Sequence, residues 1–183
     1  MLGRPSWLLI AAIVCAAGAA TSTSASTLDG SPAPDDLRTC ATRGDSSRPA
    51  KPPLGAITVG PLTIWPSVRK PTQATNASAW PYVLKAPILV RARARVTLAI
   101  ASEAVGTAGM WRHGGGGVVS TVRFLACRER QLVHTYRGRV GRFTQFPFAF
   151  ALMTPSACVP MDVWIDGASE PQRVVVPVGR STC

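Results

Sequence analysis

The arginines are the residues whose type and spacing most directly suggest binding chemistry. The chain carries 20 Lys and Arg residues against 9 Asp and Glu residues, a formal net charge of +11. Arg91, Arg93 and Arg95 alternate within residues 83–100, a stretch whose pattern predicts two strands or one long bent strand. Side chains two apart on a strand point the same way, so these three are predicted to form one positive row about 13 Å long.

A second group of arginines lies on the connection 128–142: Arg128, Arg130, Arg137, Arg139 and Arg142. Such a positive field attracts anionic cell-envelope polymers or lipid headgroups without any defined site geometry. We therefore expect no specific recognition of nucleic acid. The alternative is a solvated basic face, because rich use of Arg, Ala, Gly and Pro also reflects a GC-rich genome.

Trp164 is a candidate ligand platform. It falls on the solvent parity of its predicted strand, between Asp162 and Asp166. An exposed aromatic ring can bind sugar rings or a protein partner. The alternative is that a second sheet or the N-terminal arm around Cys40 covers the ring.

Groups for catalysis or metal binding are sparse. A hydrolase needs a nucleophile, a base and an orienting group, yet the sequence has only His113 and His134, both in arginine-rich loops, and no G-x-S-x-G motif. There is no C-x-x-C pair and no cluster of Cys and His. We predict no catalytic residues, no metal site and no cofactor.

Four cysteines remain once Cys15, which lies in the N-terminal apolar run, is set aside: Cys40, Cys127, Cys158 and Cys183. An even number in an exported domain indicates two disulfides, with three possible connectivities. Cys127 and Cys158 share the outward parity at strand ends. We therefore predict the pairs Cys127–Cys158 and Cys40–Cys183.

The N-terminus predicts export. Residues 7–20 form an uncharged apolar run after Arg4, and small residues follow it, so residues 1–25 are predicted as a cleaved signal peptide. The alternatives are a lipoprotein signal at Cys15 and an uncleaved membrane anchor. Residues 26–53 are polar and rich in Ser, Thr, Pro and Asp, which predicts a disordered linker. Residues 54–183 then form the folded domain.

That domain is predicted to be all-β. Val159, Met161, Val163 and Ile165 alternate with polar or exposed positions, which is typical of a strand with one buried face. Pro177 predicts that the last strand lies at a sheet edge. The expected strands number about seven, arranged as a two-sheet, immunoglobulin-like sandwich. Their predicted ranges are 57–65, 83–90, 94–101, 118–126, 144–152, 159–166 and 173–178.

Three short motifs carry a resemblance: residues 124–127 (FLAC), 157–159 (ACV) and 179–183 (GRSTC). In this C-terminal region the chain resembles small exported actinobacterial proteins of unknown function, which implies export and disulfides and no activity. The sequence therefore predicts a secreted or envelope-bound, non-catalytic binding or structural module, for which a protein partner is possible. The alternatives are a basic protein that binds polyanions or membrane surfaces and, third, a hydrolytic enzyme.

Overall fold

The computed structural model describes residues 30–44, 56–65, 72–74, 79–128 and 142–183, and within them the chain is all-β. The predicted signal peptide lies outside these residues. In the described part, no helix has the length and apolar character needed to cross a membrane. The strands in this part of the chain are β1 (Asp36–Arg38), β2 (Ile57–Val59), β3 (Leu62–Ile64), β4 (Thr72–Gln73), β5 (Tyr82–Lys85), β6 (Ile88–Arg91), β7 (Arg95–Ile100), β8 (Ala108–Trp111), β9 (Val118–Val119), β10 (Thr121–Leu125), β11 (Phe143–Phe146), β12 (Ala149–Leu152), β13 (Ala157–Ile165) and β14 (Gln172–Val178).

The described strands form three sheets. Sheet 1 has the order β1-β10-β7-β13-β14, sheet 2 the order β11-β6-β3-β2, and sheet 3 the order β4-β5-β12-β8-β9. Sheets 2 and 3 are linked by a kinked ribbon, in which β11 pairs with β6 and β12 pairs with β5. Pro87 and Pro147 lie at the kink and cannot donate ladder hydrogen bonds. The pairing still crosses it, because the Ala86 N–H donates to the Phe148 carbonyl at 2.9 Å.

One hydrophobic core lies between the sheets and draws on all three of them. Phe124 from sheet 1 packs against Phe146 from sheet 2, with ring centroids 5.1 Å apart. Phe148 and Phe150 extend this aromatic cluster toward sheet 3, with centroids 5.0 Å apart. The result is a sandwich-like all-β fold around a shared core.

The predicted alternation in the C-terminal half is confirmed. Val159, Met161 and Val163 of β13 are all buried. β13 and β14 form an antiparallel hairpin, and β14 lies at the edge of sheet 1 as Pro177 indicated. Its turn begins at Asp166 and Gly167, both with positive φ.

The prediction of about seven strands is wrong, because fourteen strands lie in the described residues alone. Several predicted strands are each divided in two. Gly60 (φ 54°) reverses the chain between β2 and β3, and Pro147 separates β11 from β12. Residues 102–117, between the predicted strands 94–101 and 118–126, also contain β8, which pairs with β12.

The prediction of a disordered linker over residues 26–53 is wrong for its described part, residues 30–44. There β1 pairs in parallel with β10, and a short 3-10 turn over Cys40–Thr42 is capped by Thr39. Composition predicted too little apolar burial for order. A disulfide at Cys40 and the buried side chain of Arg38 supply the anchoring that the composition lacks.

Arg38 is a buried non-covalent anchor of this N-terminal segment. Its side chain is only 1% exposed, and its guanidinium carbon lies 5.6 Å from the ring centroids of both Phe124 and Phe148. Nε donates to Asp36 at 3.0 Å, Nη2 donates to the Trp111 carbonyl at 2.6 Å, and Nη1 donates to the Pro147 carbonyl. Desolvation by burial lowers the pKa of the Arg38 guanidinium, and the Asp36 carboxylate partly opposes that shift.

Candidate functional site

Two disulfides stabilise the domain, but their predicted pairing is wrong. The bonds are Cys40–Cys127, with 4.8 Å between Cα atoms, and Cys158–Cys183, with 5.7 Å. Parallel pairing of β1 with β10 carries Cys40 to the end of β10, where Cys127 is 1% exposed rather than on an outward face. Antiparallel pairing of β14 with β13 returns the chain end to Cys158.

The predicted row of Arg91, Arg93 and Arg95 on one strand is also wrong. Arg91 ends β6 and Arg95 begins β7, and these two strands belong to different sheets. Arg93 lies in the turn between them with φ 69°, a left-handed conformation that few side chains adopt. Residues two apart no longer share a face there, although all three arginines are exposed.

The fold instead brings the two arginine groups together at one end of the sandwich. The Ala92 N–H donates to the Arg142 carbonyl at 2.8 Å, and the Arg93 N–H donates to the Cys127 carbonyl at 2.9 Å. These backbone bonds place the turn beside both ends of the second predicted group. We call the exposed set Arg91, Arg93, Arg95, Arg128 and Arg142 the basic pole. The other members of that group, Arg130, Arg137 and Arg139, lie outside the described residues.

Asp166 organises one side of the basic pole. Its Oδ1 accepts from the Arg95 N–H at 2.7 Å, and its own N–H donates to the Arg95 carbonyl at 2.8 Å. Both bonds use the Arg95 backbone, so they leave its guanidinium on the surface. Asp166 therefore fixes the position of Arg95 through main-chain contacts.

Trp164 lies on the outer face of sheet 1 and is half-buried. In the sheet register it stands across from Thr97, which stands across from Arg123. Arg123 is positioned by its Nε bond to Thr97 Oγ1 at 3.0 Å and its Nη2 bond to Ser31 Oγ at 2.6 Å. The N-terminal segment contributes Leu37, so the ring forms one wall of a concavity of about 280 Å³ rather than a flat platform.

Sequence reasoning missed Arg123 and Arg38 because both act through long-range contacts. The alternation of β10 in the sequence places Arg123 on the outward face. Its partner Ser31, however, lies far away in the chain, so the sequence does not show their contact. Arg38 lies in a segment without periodicity, so the sequence carried no signal for its burial.

Within the described residues, no three His, Cys, Asp or Glu side chains gather closely enough to hold a metal ion. His113 is an exposed residue of the β8–β9 loop, and His134 lies outside the described part. Comparisons of the chain with protein-family models, with curated proteins and with solved structures find no match.

Proposed function

We propose that the chain is an exported, disulfide-stabilised, non-catalytic binding module of the cell envelope. Two disulfides favour an oxidising extracellular compartment. The proposal includes cleavage of the signal after residues 1–25, with an N-terminal membrane anchor as the alternative. The resemblance of the C-terminal region to small exported actinobacterial proteins is in keeping with this proposal.

We further propose that the sandwich is immunoglobulin-like. Short, mainly antiparallel strands in facing sheets around one core support this assignment. Such folds present binding groups at their turns and ends, which is where the basic pole lies.

One observation carries the binding proposal: three separate parts of the chain deliver exposed arginines to the same end of the fold. The backbone bonds at Ala92 and Arg93 hold these parts together. Clustered positive charge on a rigid framework suits an anionic ligand that offers several charges at once, such as an anionic envelope polymer or a surface of anionic lipid headgroups.

A second candidate function is recognition of a protein partner or a sugar at the Trp164 concavity. Arg123 and Trp164 line the same concavity, and Leu37 in that lining is half exposed, which favours a ligand that combines an apolar face with polar groups. In this case binding depends on the ring more than on the net charge of the protein.

The test measures binding of the full chain to anionic wall polymer and to anionic vesicles across a salt series. The variant is R91Q/R95Q, which leaves Arg93 in place because its positive φ makes substitution there risky for the fold. The matched control is R173Q/R180Q, which removes the same charge from exposed positions elsewhere. Each lost phosphate-like contact is expected to reduce the slope of log K against log salt by about one unit.

We expect R91Q/R95Q to weaken binding and flatten the salt dependence, while R173Q/R180Q stays close to the parent chain. Equal losses of binding affinity in both variants would show that binding depends on the net charge of the protein and not on the basic pole. Arg95 also lines the Trp164 concavity, whereas Arg91 does not. Polymer binding that is abolished by W164A and insensitive to R91Q alone would therefore move the site to the Trp164 concavity.

A further inference from the structure

A pocket of about 490 Å³ lies beside the kink of the ribbon, beneath the loop of residues 112–117, which we call the glycine loop. This volume is within the range of small-molecule sites. None of the arginines of the basic pole lines it, so it is a separate feature of the molecule.

The floor of the pocket is held rigidly by the N-terminal segment. Arg38 lines it and is fixed to the Trp111 and Pro147 carbonyls, one on each side. Asp36 extends this network because its Oδ2 also accepts the His113 N–H at 3.1 Å. The base of the glycine loop is thereby tied to β1.

Arg38 is the polar part of this floor, although its side chain is only 1% exposed. A guanidinium has five N–H groups, and the bonds to Asp36, Trp111 and Pro147 use three of them. Within the described residues, one N–H on each terminal nitrogen is not used by these three bonds. Asp36 offsets the charge of Arg38, so the floor adds little net charge to the pocket.

The rim supplies the net charge. Lys85 and Arg112 are exposed cations that line the pocket, one at the end of β5 and one at the start of the glycine loop. Among the described residues that line the pocket there is no Asp or Glu. An anionic group at the rim therefore meets two cations and no opposing carboxylate from the lining.

The walls are apolar. The apolar residues of the lining are Trp111, Phe148, Pro147, Pro87 and Ala149. An inorganic anion would leave these surfaces in contact with water, whereas an attached apolar group would cover them. Burial of apolar surface favours binding in proportion to the area that is covered.

We propose that this pocket binds a small amphipathic anion, with its phosphate or carboxylate group between Lys85 and Arg112 and its apolar portion against Trp111 and Phe148. The pairing of a cationic rim with aromatic walls selects for both parts of the ligand. This site is independent of the polymer-binding function proposed for the basic pole.

The experiment titrates the full chain with hexyl phosphate, hexanoate, inorganic phosphate and hexanol, using calorimetry. We expect hexyl phosphate or hexanoate to bind at least ~10-fold more tightly than inorganic phosphate, because the hexyl chain covers the walls. The tighter of the two identifies the preferred headgroup. Hexanol is expected to bind more weakly than both, because it lacks the charge.

Two variants locate the binding. K85Q/R112Q removes the rim charges from exposed positions and is expected to weaken binding of the amphipathic anion by ~10-fold or more. R91Q/R95Q is the matched control and should leave it unchanged. Equal affinity for inorganic phosphate and hexyl phosphate would overturn the proposal, as would unchanged binding by K85Q/R112Q or no binding of either amphipathic anion.

Discussion

The two disulfides tether two regions of the molecule that differ in what they contribute. Cys40–Cys127 attaches the N-terminal segment, which places Arg38 in the core and forms the floor of the pocket. Cys158–Cys183 attaches the C-terminal end of a hairpin, and Cys183 itself is exposed. The first bond completes the core, whereas the second fastens a strand that is already paired.

The extent of strand pairing explains the difference. β1 has three residues and meets a single neighbour, β10, in parallel. β14 has seven residues, and each of them pairs with β13 in an antiparallel ladder. A three-residue edge strand has little independent stability, so the N-terminal segment depends on its disulfide and on Arg38 more than β14 depends on Cys183.

The largest expected effect comes from removing the N-terminal disulfide. C40A/C127A opens a loop with a sequence separation of 87 residues, and the chain-entropy model gives a loss of about 4–5 kcal/mol in the free energy of unfolding. C158A/C183A opens a separation of 25 residues and should lose about 1 kcal/mol less. Urea denaturation measures both.

Ligand binding by the same two disulfide variants tests the different roles of the two bonds a second way. C40A/C127A should also lose binding of the amphipathic anion, because Arg38 is released with β1, whereas C158A/C183A should retain it. If C158A/C183A were less stable than C40A/C127A, the roles assigned to the two disulfides would be reversed.

A buried and an exposed arginine offer the next test. R38M leaves Asp36, whose side chain is 11% exposed, without its cation, and it leaves the Trp111 and Pro147 carbonyls without their donor. Breaking such a buried pair costs about 3–5 kcal/mol. Thermal unfolding of R38M against the parent chain measures the loss, and a melting temperature equal to that of the parent would show that Arg38 anchors nothing.

Arg173 is the exposed counterpart, and the smallest effect is expected there. It pairs with Asp162, with Nε 2.6 Å from Oδ1, and with Glu103. Hydrogen bonding to Asp162 raises the pKa of Arg173. The pKa of Glu103 is lowered, first by a hydrogen bond from the backbone N–H of Glu103 and then by the charge of Arg173. Solvent screens exposed pairs, so R173Q should leave the melting temperature nearly unchanged at neutral pH.

The pH dependence follows from the sign of the Glu103 shift. A carboxyl whose pKa is lowered in the folded state contributes stability above its unfolded pKa, and this contribution is lost as the pH falls through the folded pKa. Arg173 stays charged throughout. Any small difference between R173Q and the parent should therefore shrink on acidification, and a difference that grows at acidic pH would contradict this.

Features that depend on local periodicity were predictable from the sequence, and those that depend on long-range pairing were not. The alternation around Met161 and the edge position marked by Pro177 follow from neighbouring residues. The partner of Cys40 depends on the parallel registration of β1 beside β10, which no local pattern encodes.

The candidate site shows the same division. The arginines were recognised by type, but Ala92-Arg93 lacks the Gly, Pro, Asn or Asp that usually mark a turn. The left-handed turn at Arg93 therefore went unpredicted, and with it the meeting of the two arginine groups. The pocket beneath the glycine loop combines residues from β1, the ribbon kink and β8, which only the folded chain brings together.

The most direct test of the central claim, that the N-terminal segment is a disulfide-anchored part of the domain, is a tryptic map of the non-reduced protein by mass spectrometry. Cleavage after arginine isolates Cys40 in residues 39–43, Cys127 in residues 124–128, Cys158 in residues 143–173 and Cys183 in residues 181–183. The structure predicts that 39–43 is linked to 124–128 and that 143–173 is linked to 181–183. Recovery of 39–43 linked to 181–183, or of 39–43 with a free thiol, would contradict it.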